Sequence, residues 1–459
     1  MRDELIRRFD DFGTRIALYD QQVAFTYADL LDRIRWTQTQ LSAHGVAPHD
    51  TIIVQGDHSL NSIAALFALF INRNVVVPVS TLNDKNLEAI TEYCNPKYLV
   101  KPGIEFDVQA LEKPNRRSAD LLSSLSAQNA AGLVLLSSGS TGTPKLILHN
   151  LDDLIGEKLQ KRPRRRSKSL NILMVLMFDH IGGINSLLSA LLVGGTAILP
   201  HQRVPEEICR LIQEHRILVL PTSPTFLNLI MVGGYHRMYD LSSLRLITYG
   251  TEPMSEELLR RVNECFPGVR LLQTFGTSET GIATTTSESS TSTYFKISDA
   301  NVEYRIVDGE LYLKSRTQFL GYLNYTDASL TEDGWFRTGD LVEESADGYL
   351  RIKGRAKEVI NVGGEKLLPL ELESILLSSP LIEDCTVYGR PNAITGQTVC
   401  ADIKVKDGLS RAEIRKHVIE FLTGRVEPFK IPSKIAVVEN LEISGRLKKV
   451  RPSPRSNPA

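Results

Sequence analysis

No apolar run in this sequence of 459 residues approaches the roughly 20 residues that a membrane-spanning helix requires. The amino terminus, Met1-Arg2-Asp3-Glu4-Leu5, is charged where a secretion signal would place a basic segment followed by an apolar one. No membrane span and a cytoplasmic location are therefore expected. Neither sign of charge dominates: 53 Lys and Arg stand against 54 Asp and Glu, a formal charge of -1. Nucleic acid is not an expected partner. The five cysteines (Cys94, Cys209, Cys265, Cys385, Cys400) are odd in number and far apart, with no Cys-x-x-Cys or Cys/His cluster at metal-ligand spacing. They read as reduced core thiols. There is no internal repeat, and no Gly-Lys-Ser/Thr that would close a Walker loop.

The length exceeds what one ordinary core serves, so two or more domains are expected. Hydrophobic residues at 42% and charged residues at 23% suit a large globular protein. From about Ile52 to Leu220, short aliphatic runs such as 51–54, 75–78, 133–136 and 172–177 alternate with helical stretches such as 62–70. That alternation predicts an α/β fold, with parallel-rich sheets flanked by helices. After Val302 polar and apolar residues alternate around Asp308-Gly309, which predicts a hairpin in a small antiparallel β unit. A charged stretch, 351–358, precedes Gly363-Gly364 and marks a boundary after Arg355. Residues 1–355 then form the large amino-terminal domain, and 356–459 a small, mobile α+β carboxyl-terminal one. Two low-complexity pieces, the basic run 161–168 and the Ser/Thr-rich stretch 284–293, read as surface loops.

Three clusters carry chemistry. Ser137-Ser138-Gly139-Ser140-Thr141-Gly142-Thr143-Pro144-Lys145 follows a buried strand, and its glycines, hydroxyls and backbone N–H groups suit a phosphate. A Gly/Ser linker shares that composition, so the loop alone does not decide. Thr274-Phe275-Gly276-Thr277-Ser278-Glu279-Thr280 combines a ring to stack on a base, hydroxyls for phosphate and a carboxylate for Mg²⁺, although such clusters also cap helices. Near the boundary, Asp340 in Thr338-Gly339-Asp340 and Arg355 in Lys353-Gly354-Arg355 suit the hydroxyls of a ribose, or equally a surface ion pair.

In this order, together with Phe25 to Leu30, Tyr249-Gly250-Thr251-Glu252-Pro253-Met254, Asp333-Gly334-Trp335-Phe336 and Pro369 to Glu373, these segments resemble the ANL superfamily of adenylating enzymes over nearly the whole chain. That superfamily comprises acyl- and aryl-CoA synthetases, peptide-synthetase adenylation domains and firefly luciferase. The resemblance implies ATP-dependent activation of a carboxylic acid to an acyl-adenylate, then transfer to the thiol of coenzyme A or of a carrier-protein phosphopantetheine. By similarity, Ser137, Ser138, Gly139, Ser140, Thr141, Gly142 and Lys145 hold the β- and γ-phosphates, Ser278 the α-phosphate, and Glu279 the Mg²⁺. Gly250, Thr251 and Glu252 match the adenine-edge loop, Phe275 and Gly276 the base platform, and Asp340 and Arg355 the ribose contacts. Phe275 replaces the family's usual Tyr, and Ser278 its Thr.

The family's catalytic lysine follows a glycine, and that Gly-Lys step is absent. An ungapped alignment puts Lys448 in its place with Arg451 preserving Lys-x-x-Arg; a gapped one pairs Gly445-Arg446 with Gly-Lys. Lys448 is favoured, since the fork of an arginine is not a compact point charge. Lys357 matches the hinge, and Gly363-Gly364 the pantetheine tunnel. Phe178, Asp179, His180, Gly183 and Phe226 match the acid site: Phe178-Asp179 is the wording of amino-acid-activating relatives, and His180 to Gly183 that of the acyl and aryl ligases, which are preferred. A fatty or aryl acid is the expected substrate, and a separate acyl carrier protein a possible acceptor, since no carrier domain is visible. The basic run 161–168 reads as a solvated loop or as an attractor for carrier or coenzyme phosphates. Monomer and homodimer stay open, as does a non-catalytic relative.

Overall fold

The computed structural model describes all residues except 104, 112–119, 138–142, 164–169, 327, 407–408 and 453–459. Two seven-stranded sheets dominate the amino-terminal part. One has the strand order Arg270–Gln273, Leu246–Tyr249, Val219–Thr222, Asn171–Leu173, Thr196–Ile198, Ile16–Asp20, Val23–Thr26, parallel except for the closing hairpin. The other runs Gly321–Tyr322, Lys145–Asn150, Gly132–Ser137, Val75–Val79, Thr51–Gln55, Tyr98–Pro102, Phe106–Ala110, with a parallel centre and antiparallel edges. The expected strands 51–54, 75–78 and 133–136 all lie in its centre.

Helix Leu60–Ile71 is apolar on every side and buried at nearly every position, with Ser59 accepting the Ser62 N–H at its amino end. With helix Ile181–Leu191 it fills a core shared by both sheets, to which Phe67 and Leu187 belong together with Leu133 and Ile172. Removing a ring such as Phe67 from that core costs about 3–5 kcal/mol. The apolar run 172–177, expected as one strand, is strand only to Leu173. Beyond it the chain leaves the sheet, and the Val175 carbonyl accepts from Arg203 Nε at 2.6 Å.

A third sheet is antiparallel: Thr285–Ser287, Phe295–Ile297, Leu350–Arg355, Phe336–Glu344, Glu310–Ser315, Val302–Val307. Asp308 and Gly309, at φ +51° and +79°, make the expected tight turn. The Ser/Thr-rich stretch 284–293 is not wholly loop. Thr285–Ser287 pairs with Phe295–Ile297, and the buried Thr285 gives its hydroxyl proton to the Gln273 carbonyl. β-Branched threonines suit a pleated strand, which composition alone concealed.

The third sheet ends at Arg355. A short turn, Ala356–Glu358, leads to Ile360 in a separate sheet of order Glu365–Leu367, Ile360–Val362, Gly396–Val405, Ile382–Asn392, with Lys434–Val437 alongside Gly396–Val405. Helices Pro369–Leu377 and Arg411–Leu422 pack on this sheet around a core of its own running from Ile360 to Ile435. Gly363 and Gly364 form the turn between its first two strands at φ +63° and +98°, which explains both glycines without a ligand.

Helix Glu256–Cys265 of the large part packs beside helix Pro369–Leu377 of the small one. Arg261, its Nε held by Glu257 at 3.1 Å, reaches across with Nη2 to the carbonyls of Leu377 and of Ile382 (3.3 Å). A cation there complements the negative end of the helix. Among the described residues no helix is long and apolar enough to cross a membrane.

Candidate active site

Carboxyl ends of parallel strands are where open α/β sheets bind ligands, and here they carry unpaired polar atoms. Thr222, Tyr249 and Gln273 end three adjacent strands, and Thr222 Oγ1, Tyr249 Oη, Thr251 Oγ1 and Gln273 Oε1 are all buried without a hydrogen-bond partner among the described residues. Buried polar groups are rarely left so unless a ligand or water completes them. A cleft of about 1040 Å³ opens above, with Ser137, Asp179, Thr251, Glu252, Arg355 and Lys448 on its walls.

Thr251 adopts φ +71°, a left-handed conformation that is unusual for a β-branched residue and a mark of local strain. Gly250 beside it has no room for a side chain, because a Cβ would lie 2.5 Å from Thr274 Oγ1 and 2.9 Å from the Thr274 carbonyl. Glu252 accepts the Thr225 N–H at 2.7 Å. Burial raises its pKa, opposed by that bond and by Lys449 and Lys448.

Strand Phe275–Thr277 brings the second cluster to the same place. Phe275 stacks against Phe295 with ring centroids 5.8 Å apart, and a Cβ on Gly276 would strike the Gly281 carbonyl at 2.1 Å. The Ser278 carbonyl accepts from His149 Nε2 at 2.6 Å. That imidazole is buried and its pKa falls to about 4, so it is neutral with its proton on Nε2. Glu279 accepts from Tyr322 Oη at 2.8 Å, and the Lys145 ammonium lies over the rings of Tyr322 (4.7 Å) and Tyr325 (4.1 Å). Ser137 and Lys145 face one another across an antiparallel pair; Ser138, Gly139, Ser140, Thr141 and Gly142 between them lie outside the described residues. So do Arg164, Arg165, Arg166 and Lys168 of the basic run.

Asp340 and Arg355 are cross-strand partners, with Arg355 Nε 3.1 Å from Asp340 Oδ1. The side chain of Asp340 is only 5% exposed, so this is no surface ion pair. Burial raises the Asp340 pKa, and Arg355 opposes the rise.

The acid-site candidates divide. Phe178 and Phe226 are fully buried core residues; Phe178 meets His58 edge-on at 5.3 Å, and neither lines the cleft. Gly183 is a packing glycine, because a Cβ would sit 1.9 Å from the Met177 carbonyl. Asp179 lines the cleft and is held in place. Its Oδ2 accepts from the Ser80 N–H (3.0 Å) and hydroxyl (2.5 Å), and its Oδ1 is buried without a partner among the described residues. His180 caps helix Ile181–Leu191, Nδ1 accepting the Gly182 N–H at 3.1 Å. Enclosure, then the charges of Lys448 and Arg446, depress its pKa to about 3, so the ring is neutral with its proton on Nε2.

The carboxyl-terminal loop completes the site. Ile443 and Lys449 form an antiparallel bridge, Ser444 N–H donates to the Lys448 carbonyl at 2.8 Å, and Leu447 turns at φ +58°. Ser223 Oγ fixes the tip by donating to the Leu447 carbonyl at 2.6 Å. Lys448 enters the cleft, where burial and then Arg355 lower its pKa to about 8, with Glu252 opposing, Arg446 adding and Asp340 opposing. Arg446 Nη2 donates to the Leu136 carbonyl at 2.7 Å. Lys449 and Arg451 point the other way: Lys449 pairs with Asp384, and Arg451 with Glu373 and, at 3.3 Å, Glu358. Lys357 is exposed, on the turn joining the two parts.

Sequence reasoning missed Ser80, Ser223, Gln273, His149 and Arg261. Ser223-Pro224 opening a helix was a readable cap signal; the others act across the fold and leave no local trace.

Residues 6–323 match the family described as AMP-binding enzyme, and residues 371–448 the AMP-binding enzyme C-terminal domain. The chain is 28% identical to 2,3-dihydroxybenzoate-AMP ligase of Bacillus subtilis (strain 168), across 96% of this chain and 90% of that one. It is 32% identical to peroxisomal OPC-8:0-CoA ligase 1 of Arabidopsis thaliana, across 68% of this chain but 62% of that protein. In fold it is similar to the anthranilate CoA ligase AuaEII in complex with anthranoyl-AMP, at a TM-score of 0.79 and 20% identity, covering 97% of this chain and 95% of that one. It also resembles o-succinylbenzoate CoA synthetase from Bacillus subtilis, at a TM-score of 0.77 and 20% identity over 99% and 98% of the two chains. This chain belongs to the AMP-binding enzyme family, within the ANL superfamily of adenylating enzymes.

Proposed function

We propose that the protein uses ATP and Mg²⁺ to convert a carboxylic acid, aryl or fatty, into an acyl-adenylate, and then passes the acyl group to the thiol of coenzyme A or a carrier-protein phosphopantetheine. The observation that carries this reading is the loop from the small part whose Lys448 stands in the cleft beside Glu252, Asp340 and Arg355. Asp340 and Arg355 suit the ribose, Gly250 to Glu252 the adenine edge, and Phe275 with Gly276 the base platform. Ser278, Ser137 and Lys145 take the phosphates, with Ser138 to Gly142 by similarity alone.

In the reaction a carboxylate oxygen bonds to the α-phosphorus while pyrophosphate leaves, so two anions must meet. The ammonium of Lys448 offsets their repulsion and gains as negative charge moves outward. No protein nucleophile is required. His180, neutral and donating through Nε2, orients the acid without adding charge. Glu279 is a lone carboxylate held by Tyr322, and no group of three His, Cys, Asp or Glu side chains surrounds it among the described residues. That donor set fits Mg²⁺, which takes one or two carboxylates and otherwise phosphate and water oxygens; the ion would neutralise the phosphates.

For the second step, the turn 356–359 between two separately cored parts suits a hinge, with Lys357 on it. Gly363 and Gly364 reach a thiol only if the small domain turns. An amino acid is the second reading, favoured by Asp179, whose buried Oδ1 lacks a partner at the cleft wall.

The test is acid-dependent ATP–pyrophosphate exchange with a panel of aryl, fatty and amino acids, repeated for thioester formation with coenzyme A and with a carrier protein. Lys448→Ala should lose exchange by at least a hundredfold. ATP binding without exchange for any acid would instead identify a non-catalytic relative.

A further inference from the structure

We propose that Arg446 binds the pyrophosphate half of ATP, and the pyrophosphate that leaves, as a task separate from that of Lys448. The inference rests on the adenylation reading above. Its starting point is the direction in which successive side chains of one loop point. Arg446 and Lys448 face the large part, while Lys449 and Arg451 face the small one and are neutralised there by Asp384, Glu373 and Glu358. Among the described residues neither Arg446 nor Lys448 makes an ion pair. Partly desolvated cations that no ion pair neutralises are costly, and they persist where a ligand supplies the anion.

The two cations are not equivalent in place. Besides Arg446 itself, the charges acting on Lys448 come from Arg355, Glu252 and Asp340, the residues read here as the nucleoside end of the cleft. Arg446 is tied to the Leu136 carbonyl, one residue before Ser137, which pairs with Lys145. A triphosphate whose ribose is held at Asp340 and Arg355 therefore passes Lys448 first and Arg446 second. Among the described residues Arg446 makes one guanidinium hydrogen bond, to Leu136, which leaves most of its five donors for an anion. A planar fork suits two phosphate oxygens at once, whereas a compact ammonium suits the shared point between carboxylate and α-phosphate. As the carboxylate–phosphorus bond forms and the bond to the β-phosphate oxygen breaks, the leaving pyrophosphate takes the electron pair, and Arg446 holds the charge it gains.

The experiment compares wild type, Arg446→Ala, Arg446→Lys and Lys448→Ala. In exchange with an acid found in the panel, Arg446→Ala should raise the KM for pyrophosphate about 10- to 100-fold, leave the KM for acid unchanged, and recover in part as Arg446→Lys. Thioester formation from supplied acyl-adenylate should be unaltered. An unchanged pyrophosphate KM in Arg446→Ala overturns the assignment. So does a lost kcat in that variant when Lys448→Ala still exchanges, because Arg446 would then be the bridging cation. Calorimetric titration of the full chain with inorganic pyrophosphate separates this claim from adenylation itself. Weaker binding by Arg446→Ala than by wild type supports the site even if no acid drives exchange, and equal binding refutes it.

Discussion

Lys448 makes a quantitative test possible because its environment penalises its charge. Its pKa falls from the ordinary 10.5 to about 8, mainly through burial, then through Arg355. At 1.36 kcal/mol per tenfold, holding the ammonium in an empty cleft costs about 3 kcal/mol. The folded chain releases this proton more readily than the unfolded chain, so the penalty is whole below about pH 8 and is gone above 10.5. Lys448→Met keeps an unbranched side chain one atom shorter and removes the charge. Without nucleotide, urea unfolding at pH 7 should show the variant more stable than wild type by up to about 3 kcal/mol, and the gap should close between about pH 8 and 10.5. Adenylation by the same variant should be abolished. A variant no more stable at pH 7, or a gap that does not shrink with pH, would refute the reasoning, since packing differences alone do not titrate.

Two further perturbations probe the frame around the cleft. Arg261→Ala removes the cation that bridges helix Glu256–Cys265 to the carbonyls of Leu377 and Ile382. Hydrogen bonds to charged groups contribute about 1.5–3 kcal/mol, so pyrophosphate exchange should fall about tenfold while thioester formation from supplied acyl-adenylate does not; equal loss in both half-reactions would mean a general folding defect. Thr251→Gly relieves a left-handed β-branched residue, worth about 1–2 kcal/mol against a similar entropic cost of glycine. Stability should hold or rise by about 1 kcal/mol while the KM for ATP rises, and a loss of stability beyond 1 kcal/mol would show that the strain is imaginary.

Elements set by local pattern were legible in the sequence. Alternation around Asp308-Gly309 gave the hairpin, and the aliphatic runs 51–54, 75–78 and 133–136 gave the central strands. The division after Arg355 is read from the charged stretch 351–358 before Gly363-Gly364, and strand Leu350–Arg355 ends at that residue. What the chain does across long separations was not legible. Nothing near Asp179 in the sequence shows that Ser80, 99 residues earlier, holds its carboxylate. Gly363-Gly364 reads as space for a thin ligand arm, and the turn they make at positive φ is a second demand for glycine that the sequence does not separate from the first. Phe178 and Phe226 follow the family's wording for an acid pocket, yet a ring beside a site and a ring in the core beneath it read alike in one dimension.

The carboxyl-terminal loop shows why its alignment was ambiguous. Four cations in six residues, Arg446, Lys448, Lys449 and Arg451, offer two ways to write one lysine motif, and spacing alone prefers Lys448 with Arg451. In the folded chain Arg451 is bound to Glu373 and Glu358 of its own domain and Lys449 to Asp384, so these two anchor the loop. Arg446 and Lys448 are what the loop delivers, and delivering two cations that make no ion pair among the described residues has a consequence for the proposed cycle. Without nucleotide the penalty on Lys448 opposes the docked arrangement; a bound triphosphate removes it and favours docking. Once pyrophosphate has left, most of that negative charge is gone while both cations remain, and the repulsion of Lys448 by Arg355 and Arg446 returns. The same electrostatics that favour adenylation therefore favour departure of the loop after it, which a thiol acceptor needs.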